Sequence, residues 1–572
     1  MTKVAAADKQ RQGGLVGLIV AGGAYTAVAV AMLWPVMASP RHRVLGQTDA
    51  TSITWHLAWD QHAFAHFDFP FVTHHQFAPS GLNLMQQTAM PIVGAATWPA
   101  AVISGPTFAY NVAVVFALVG SALLGYIVIN RFVSSRYAAA VGGLLYGFSP
   151  YMQAHTFGGH LNLTLLLCPP VLLLLLDEAL RRQRLAARFC GLAIGALVAI
   201  QLLVSAEVLL STVVVGGICV TAVAIWVRWR DRARYDLRAP YVRRALVASI
   251  VTAAVLSAVP LCVFFLGPER PPQTQRSGAS TDLANVIIPT AVQRLSPTWT
   301  ATVAAKFPSN VSEQNAYIGV PMLLVIGGAW VATRRELASR LGGGLAVTGF
   351  ILSLGARPRI AGVHIPIPMP GLPLAIMPTF KGALPARYMG LAWLGLGLLV
   401  AAWLAQPRPR RSLRWLALTA AAVPLLPVTP PTDSLVTPAF FTQPRSVARL
   451  TGKTILILPA SPIPRAYAHE WQIAAQFRFK MVNGYGLRAA HVVPSGEVDP
   501  IGVFSDLETH RGHTRAEPAA VARGLCRHGV DAVVAGPAAA PHELDLMVRV
   551  SGRSGVAEGG VLVWSDLRRQ LC

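Results

Sequence analysis

The chain alternates between long apolar runs and shorter polar connections, a pattern typical of a protein that crosses a membrane many times. About 20 consecutive apolar residues are needed to span the hydrocarbon core as a helix. Eleven runs predict membrane spans, although those at 137–150 and 342–355 are short and contain glycine. The predicted spans cover residues 14–37, 108–130, 137–150, 162–176, 189–205, 208–227, 245–266, 316–332, 342–355, 386–405 and 413–428.

One apolar segment, residues 89–104, does not fit the pattern of spans, because it is short and contains Pro91 and Pro99. We interpret it as a re-entrant or interfacial element, since such backbone is tolerated at membrane depth only where protein covers it. Three connections between spans are long. Two of them are rich in proline and poor in charge, which favours packing on the membrane or over a cavity. The three cover residues 38–107, 267–315 and 356–385.

Beyond residue 429 the pattern changes to short strands that alternate with helices. Strands are predicted at 454–459, 530–536 and 560–567, and helices at 516–529 and 541–552. Such alternation is typical of a small α/β domain. The sequence therefore predicts a mainly α, polytopic membrane helical bundle of about eleven spans over residues 1–428, followed by an α/β domain over 429–572.

Positive charge is concentrated in six clusters that coincide with alternate connections between the spans. Short cytoplasmic loops retain Lys and Arg, whereas translocated loops lose them. The charge distribution therefore places the N-terminus in the cytoplasm, and eleven crossings place the C-terminal domain outside the plasma (inner) membrane. The clusters are Lys3–Arg11, Arg131–Arg136, Arg181–Arg188, Arg228–Arg244, Arg334–Arg340 and Arg408–Arg414.

Only 13% of the 572 residues are charged and 53% are hydrophobic, whereas soluble proteins average about 25% charged residues. The net charge of +23 is explained by the cytoplasmic loops, which can contact anionic lipid headgroups. No nucleic-acid partner is expected. The first span is expected to be retained, because Ala38-Ser39-Pro40 makes a poor cleavage site for a signal peptide.

Two of the six cysteines, Cys526 and Cys572, lie outside the apolar runs. The oxidising compartment predicted for the C-terminal domain favours a disulfide between them, although the terminal Cys572 could instead remain free. The other cysteines are expected to be small packing residues within apolar runs. They are Cys168, Cys190, Cys219 and Cys262.

The first outer connection contains the richest set of candidate functional residues. A helix is predicted over 51–66, where Trp55 and Trp59 share one face and suit a helix lying flat at the membrane interface. Asp49 precedes this helix and has two interpretations. It could cap the free backbone N–H groups of the helix. Alternatively, it is a catalytic carboxylate whose pKa is raised by partial desolvation toward that of a general base.

Histidines in the same helix have the i,i+4 spacing of metal ligands, as His56 with Asp60 and His62 with His66. The sequence fixes no third ligand, and histidine at a wet interface is commonly solvated or stacked on aromatic rings. We therefore predict no metal site there and retain His56 and Asp60 as candidate substrate contacts.

A second polar cluster lies between the third and fourth spans, in residues 146–163, where Tyr151, His155 and His160 stand among glycines. It could be a turn punctuated by glycine and proline, or the lining for a polar substrate. The substrate-binding hypothesis makes His155 and His160 candidate contacts.

Two charged residues stand out because they lie within or beside spans. Glu207 is an acid in an apolar stretch, and an ionisable group there normally faces a cavity or marks an interface. It is a candidate contact for a substrate, an acceptor or an ion, and the alternative is a simple turn at the outer surface. Arg387 begins the tenth span from the outer side, against the positive-inside pattern. A guanidinium binds phosphate through two N–H groups at once, so Arg387 is a candidate contact for a lipid-linked phosphate, which Lys381 could assist. Alternatively, its side chain extends to the headgroups of the surrounding membrane.

Several chemistries are not supported by any motif in the sequence. There is no GxxxxGK[ST] phosphate loop, no HExxH pair and no cysteine framework for zinc. An ATP-driven pump is therefore unsupported, and no cofactor is expected. The chemistry could accommodate a divalent metal, but the sequence does not indicate one.

An acid after the first span, a helix in the first outer loop, many spans and an outer C-terminal domain together resemble the GT-C superfamily of polytopic glycosyltransferases. The stretches TDATSITWHLAWDQHAF, LLYGFSPYMQAHTFGGHLNL, LPARYMGLAW and QFRFKMVNGYG are similar to membrane glycosyltransferase-like proteins of high-GC bacteria. Members of the superfamily use polyprenyl-phosphate sugars as donors.

The resemblance implies a sugar transfer to a hydroxyl group of a cell-envelope glycan, glycolipid or protein at the outer face. Asp49 would match the carboxylate that deprotonates the acceptor, and Arg387 the phosphate-binding residue near a late span. Many family members carry two adjacent acids where this chain has Gln47-Thr48-Asp49-Ala50. The single acid must therefore suffice, or Asp60 or Glu207 supplies the second.

Two other functions compete with this interpretation. A transporter or lipid-linked sugar flippase would fit the acid within the apolar stretch and the short, glycine-broken spans, although no inverted repeat is evident. A non-catalytic envelope-assembly protein would use its outer domain to bind wall polymers.

Overall fold

The computed structural model describes residues 2–46, 48–269, 279–377, 383–407, 411–461, 463, 466–487, 498–509 and 517–572, with side chains from residue 15 onward and without that of residue 411. Of the candidate residues, Lys381 lies outside the described residues. The chain is mainly helical and divides into two compact units. The first comprises Met1–Ser39, Asn111–Ala258 and Gln273–Pro431, and the second comprises Pro40–Tyr110, Val259–Pro272 and Thr432–Cys572.

Helices dominate the first unit, and each of the eleven predicted spans coincides with a helix. Within the part of the chain that the structure describes, six helices are long and apolar enough to cross a membrane by length and composition: Leu15–Met32, Pro106–Asn130, Leu161–Arg182, Ala206–Arg230, Arg232–Leu266 and Pro385–Leu404. The remaining predicted spans coincide with shorter helices. These are Arg136–Gly147, Ala187–Leu202, Val320–Thr333, Leu337–Ser353 and Arg411–Ala422.

The helix Met389–Leu404 lies at the centre of the first unit and is buried along nearly its whole length. Two other helices, Arg136–Gly147 and Leu337–Ser353, pack closely against it at glycine residues. A Cβ added to Gly142 would lie 2.7 Å from the carbonyl oxygen of Gly397, and one added to Gly342 would lie 2.6 Å from that of Gly395. Small residues allow such close contact between helices in apolar surroundings. This packing holds in place the central helix, whose N-terminal end follows Arg387.

Shorter elements of the first unit lie in its connections. The helical ones are Trp34–Met37, Pro150–Phe157, Thr298–Ala304 and Leu372–Ile376, with the turns Leu283–Val286, Val311–Glu313 and Val423–Leu425. Leu161–Arg182 itself contains the segments Leu161–Thr164 and Cys168–Asp177, and Pro385–Leu404 begins with the turn Pro385–Tyr388. A hairpin pairs Arg359–Ile360 with Val363–His364.

A five-stranded mixed sheet forms the core of the second unit. Its order is Val556–Glu558, Val561–Trp564, Ala532–Ala535, Thr454–Leu458 and Lys480–Met481, and the last three strands are parallel. Side chains of Thr454–Leu458 alternate between two apolar cores, one on each face of the sheet. The surrounding helices are Pro444–Leu450, Tyr467–Ala474, Pro500–Thr509, Pro518–Arg527, Pro541–Ser551 and Leu567–Leu571. The favoured disulfide, Cys526–Cys572, is present.

The first outer connection belongs to this second unit, which differs from the predicted boundary between residues 428 and 429. Its helices are Thr48–His66 and Pro91–Ser104, the latter within the segment interpreted as re-entrant or interfacial. Arg43–Leu45 pairs with Thr432–Ser434, and Val72–Thr73 pairs with Leu82–Asn83. The grouping follows from contacts such as the 2.7 Å hydrogen bond that Trp55 Nε1 donates to Gln472 Oε1.

Candidate functional site

A group of three charged side chains in the first unit is centred on Arg387. This residue lies on the turn Pro385–Tyr388, at the start of the central helix. Its Nε and Nη2 donate to Glu313 Oε1 at 3.0 and 2.7 Å, and its Nη1 donates to Glu207 Oε2. The guanidinium therefore joins two carboxylates that are far apart in the sequence.

The two carboxylates differ strongly in exposure. The side chain of Glu207, in the first turn of helix Ala206–Arg230, is 40% exposed, whereas that of Glu313 is 2% exposed and that of Arg387 is 13% exposed. An ion pair gains more from Coulomb attraction where water is excluded. The pair with Glu313 is thus the fixed part of the cluster, and Glu207 is the partner that solvent or a ligand can reach.

The loop around Glu313 is held by side-chain hydrogen bonds. Asn310 Oδ1 accepts from the backbone N–H of Glu313 at 3.2 Å, and Asn285 Oδ1 accepts from that of Ala316 at 2.9 Å. The Glu313 Oε2 atom is buried without a hydrogen-bond partner. An unpaired buried oxygen is costly, so this atom marks a place where a donor or a cation would be stabilised.

Two histidines lie beside the charged group. His155 is in helix Pro150–Phe157, and its Nδ1 lies 3.0 Å from Nδ1 of His160. Asn315 Nδ2 approaches His155 Nε2 at 3.1 Å and donates to the carbonyl of Ser312 at the same distance. Because the amide donates, His155 Nε2 accepts, and the proton of the neutral ring lies on Nδ1, facing His160.

Burial and two neighbouring groups keep the His155 ring neutral. Burial lowers the pKa of His155 well below its ordinary value, and both His160 and Arg387 lower it further. Tyr151 packs its ring against His155 at a centroid distance of 4.5 Å. Burial raises the pKa of Tyr151, so its hydroxyl stays protonated. The arrangement provides neutral hydrogen-bonding groups beside a guanidinium.

Three of these residues could hold a metal ion. His155, His160 and Glu313 each offer one ligand atom, and the three atoms lie within 4.8 Å of one another. Among the residues that the structure describes, this is the one such group. The sequence identified both histidines but not Glu313 or Asn315. The signal for Glu313 was weak, an isolated acid in a loop poor in charge.

Asp49 lies in the second unit, within the first turn of helix Thr48–His66. Because the helix begins at Thr48, the interpretation of Asp49 as a cap preceding the helix is wrong. The hydroxyl of Tyr485 donates to Asp49 Oδ1 at 3.1 Å, and the side chain is half-buried. The N-terminal end of a helix favours a negative charge, and the carboxylate remains partly accessible.

Residues 50–61 of this helix are buried in protein, which corrects the expectation of a helix lying flat at the membrane interface. Trp55 and Trp59 stack at a centroid distance of 5.9 Å and pack with Phe477 in an apolar core. His56 and Asp60 are 2% and 1% exposed. Such burial favours a structural role for both residues over substrate contact.

Replacing Asp60 with asparagine is expected to stabilise the protein at high pH. Burial raises the pKa of Asp60 well above its ordinary value, so the folded state binds a proton that the unfolded state has lost. Stability therefore falls by about 1.4 kcal/mol per pH unit between the unfolded and folded pKa values. An asparagine amide does not titrate in this range. The free energy of unfolding of the Asp60→Asn variant therefore lacks this decrease with pH.

The quantity to measure is the difference in thermal unfolding between wild type and Asp60→Asn at pH 5, 6.5 and 8. The comparison removes the opposite effect of His56 and His469, whose pKa values burial lowers to about 4 and about 3. The difference should grow as pH rises. A difference in unfolding temperature that is constant with pH would contradict a raised pKa for Asp60.

A family model gives the first comparison with known proteins. Residues 21–383, more than half of the chain, match the model described as "Domain of unknown function (DUF6311)". The chain belongs to the DUF6311 family. The match includes Asp49, Glu207 and Glu313 and ends before Arg387. No curated protein matches the sequence.

Solved structures show which fold this DUF6311 chain has. The arabinofuranosyltransferase AftD from Mycobacteria matches with a TM-score of 0.58 and 15% identity, over 96% of this chain and 40% of that one. The oligosaccharyltransferase of Archaeoglobus fulgidus in its apo form matches with a TM-score of 0.51 and 12% identity, over 91% and 69% of the two chains. The archaeal oligosaccharyltransferase AglB from Archaeoglobus fulgidus, in complex with an inhibitory peptide and a dolichol-phosphate, matches with a TM-score of 0.50 and 12% identity, over 92% of this chain and 70% of that one.

These matches confirm the resemblance to the GT-C superfamily at the level of the fold. The DUF6311 chain spans 40% of the length of the mycobacterial enzyme. At such low identity the neighbours show a shared architecture, and the residues of this chain must carry any argument about chemistry.

Proposed function

We propose that this DUF6311 protein is an integral membrane glycosyltransferase. It moves a hexosyl or pentosyl group from a polyprenyl-phosphate donor to a hydroxyl of a cell-envelope glycan, glycolipid or protein. The observation that carries the proposal is the buried Arg387, paired with a fixed Glu313 and an exposed Glu207, in a chain with the GT-C fold. The AftD and AglB structures, named for an arabinofuranosyltransferase and for a complex with dolichol-phosphate, support the class of reaction.

The chemistry follows from the donor. A sugar phosphate ester already contains a good leaving group, so the protein must stabilise the charge on the departing phosphate and remove a proton from the acceptor. Arg387 stabilises the phosphate. Because its Nη1 contacts the exposed Glu207, an incoming phosphate oxygen can take the place of that carboxylate while Glu313 keeps the guanidinium oriented.

Asp49 removes the acceptor proton. Its half-buried carboxylate is held by the Tyr485 hydroxyl through one oxygen. His155 and His160 supply ring nitrogens beside Arg387 that can hydrogen-bond to sugar hydroxyls. The proposal includes the membrane topology that the distribution of Lys and Arg predicts, with a cytoplasmic N-terminus, eleven spans and the α/β domain on the outer face.

Transfer in proteoliposomes tests the proposal against its rivals. The purified full-length protein is reconstituted with radiolabelled polyprenyl-phosphate pentose or hexose and with envelope acceptors. A transferase moves the label to the acceptor and releases unlabelled polyprenyl phosphate. If the intact donor merely changes leaflet, the protein is a flippase, and if the label stays with the donor in its original leaflet, a non-catalytic assembly role replaces the proposal. Protein-free liposomes give the background.

A further inference from the structure

The group around Glu313 contains more electron-pair acceptors than donors. Glu313 Oε1 accepts two hydrogen bonds from Arg387, while Oε2, on a side chain that is 2% exposed, has none. Asn315 Oδ1 is also buried without a partner. Buried acceptors without donors are rare, and an ion is one of the few species that satisfies them.

The neighbouring histidines present nitrogen ligands to the same place. Their Nδ1 atoms are 3.0 Å apart, and two nitrogens bound to one tetrahedral metal at about 2.0–2.1 Å are separated by about 3.3 Å. The observed separation is therefore within a few tenths of an ångström of that in a metal-bound pair, and the two rings would turn to direct both lone pairs at one ion. With Glu313, the three ligand atoms already lie within 4.8 Å of one another.

Charge and ligand type indicate which ion fits. Two carboxylates and one guanidinium leave the group with one net negative charge, which a divalent cation would reverse. Two imidazoles and one carboxylate suit Zn²⁺ and related transition metals, whereas Mg²⁺ prefers oxygen ligands. We propose that His155, His160 and Glu313 bind one divalent transition-metal ion of the Zn²⁺ class, with Glu313 coordinating through Oε2.

Asn315 would adjust to the bound ion. A metal on His155 Nδ1 leaves the ring proton on Nε2, which then needs an acceptor. A half-turn of the Asn315 amide presents Oδ1, now without a partner, at the cost of the hydrogen bond to Ser312. Metal-bound histidines commonly make such an outer hydrogen bond.

The test is metal binding by the full-length protein in detergent, purified without a histidine tag and stripped with EDTA. After dialysis against Zn²⁺, one equivalent per chain is expected by elemental analysis, and Co²⁺ should give visible absorption bands. The variants His155→Ala, His160→Ala and Glu313→Gln should each lose this equivalent. The double variant His62→Ala/His66→Ala should keep it, because it removes the other close histidine pair, with rings 4.2 Å apart.

Three results would overturn the proposal: wild type without stoichiometric Zn²⁺, loss of the ion in the His62/His66 double variant, or its retention in His160→Ala. His160 is the least buried of the three ligands, and thermal unfolding of its variant shows whether the fold is kept. No donor or acceptor is present, so failure of the metal site and failure of the proposed transfer are separate results.

Discussion

Transfer of sugar is expected to fall by about 10²- to 10⁴-fold when Asp49 is replaced by asparagine, the usual contribution of a positioned general base. The amide has the shape of the carboxylate but cannot take a proton from an attacking hydroxyl. It can still accept the hydrogen bond that Tyr485 donates to residue 49. The fold should therefore persist while the initial rate of label transfer in proteoliposomes collapses.

Two control variants separate the chemistry of Asp49 from its contacts. Tyr485→Phe removes the hydrogen bond and keeps the carboxylate, so we expect it to retain most of the activity. Asp60→Asn makes the same chemical change on the same helix at a buried position, and it should also retain transfer. Equal incorporation by wild type and Asp49→Asn would remove Asp49 from the mechanism.

The helices of the first unit could be predicted because length and apolarity are local properties of the sequence. Even the glycine-rich runs at 137–150 and 342–355, whose ends were poorly defined, coincide with helices. Their glycines contact the central helix, which a single sequence does not reveal. The sequence alone does not distinguish a glycine that breaks a helix from one that allows two helices to pack closely.

The grouping of the first outer connection with the C-terminal residues could not be predicted from the sequence. Trp55 and Trp59 one turn apart predict a helix with an apolar aromatic face, and that face exists. A membrane interface and a protein core are both apolar, however, so the pattern does not distinguish them. The deciding contact, Trp55 with Gln472, joins residues 417 positions apart.

The sequence identified single residues of the candidate site but not which of them contact one another. Glu207 and Arg387 stood out because a charge in an apolar stretch is costly and needs a partner. The partners themselves depend on tertiary structure, since Arg387 is separated from Glu313 by 74 residues and from Glu207 by 180. Glu313 lies in a loop, where an acid is unremarkable in sequence terms, although it is the most buried of the three.

The same contrast in burial bears on how Arg387 could act. A guanidinium held only by exposed carboxylates would be mobile, and one held only by buried carboxylates would be unavailable to a ligand. The buried Glu313 holds one side of the guanidinium, while Glu207, whose side chain is 40% exposed, contacts the other side. In the proposed reaction, this arrangement orients Arg387 before the donor phosphate binds, which reduces the entropic cost of binding.

Replacing Arg387 with glutamine is expected to remove both transfer and much of the stability of the protein. Loss of one partner leaves Glu313 as an unpaired buried charge, which costs about 3–5 kcal/mol. The double variant Arg387→Gln/Glu313→Gln removes both charges, so it should regain most of the stability but none of the transfer. Thermal unfolding and proteoliposome transfer measure the two effects separately.

An exposed ion pair provides the matched control for Arg387. Arg449, 59% exposed, pairs with Glu558 in the second unit, and exposed pairs contribute about 0–1 kcal/mol. Arg449→Gln should therefore leave both the unfolding temperature and transfer nearly unchanged. If Arg387→Gln behaves in the same way, Arg387 neither organises the carboxylates nor binds the phosphate. If the double variant regains stability together with transfer, the guanidinium is structural, because phosphate stabilisation cannot be restored by removing a second charge.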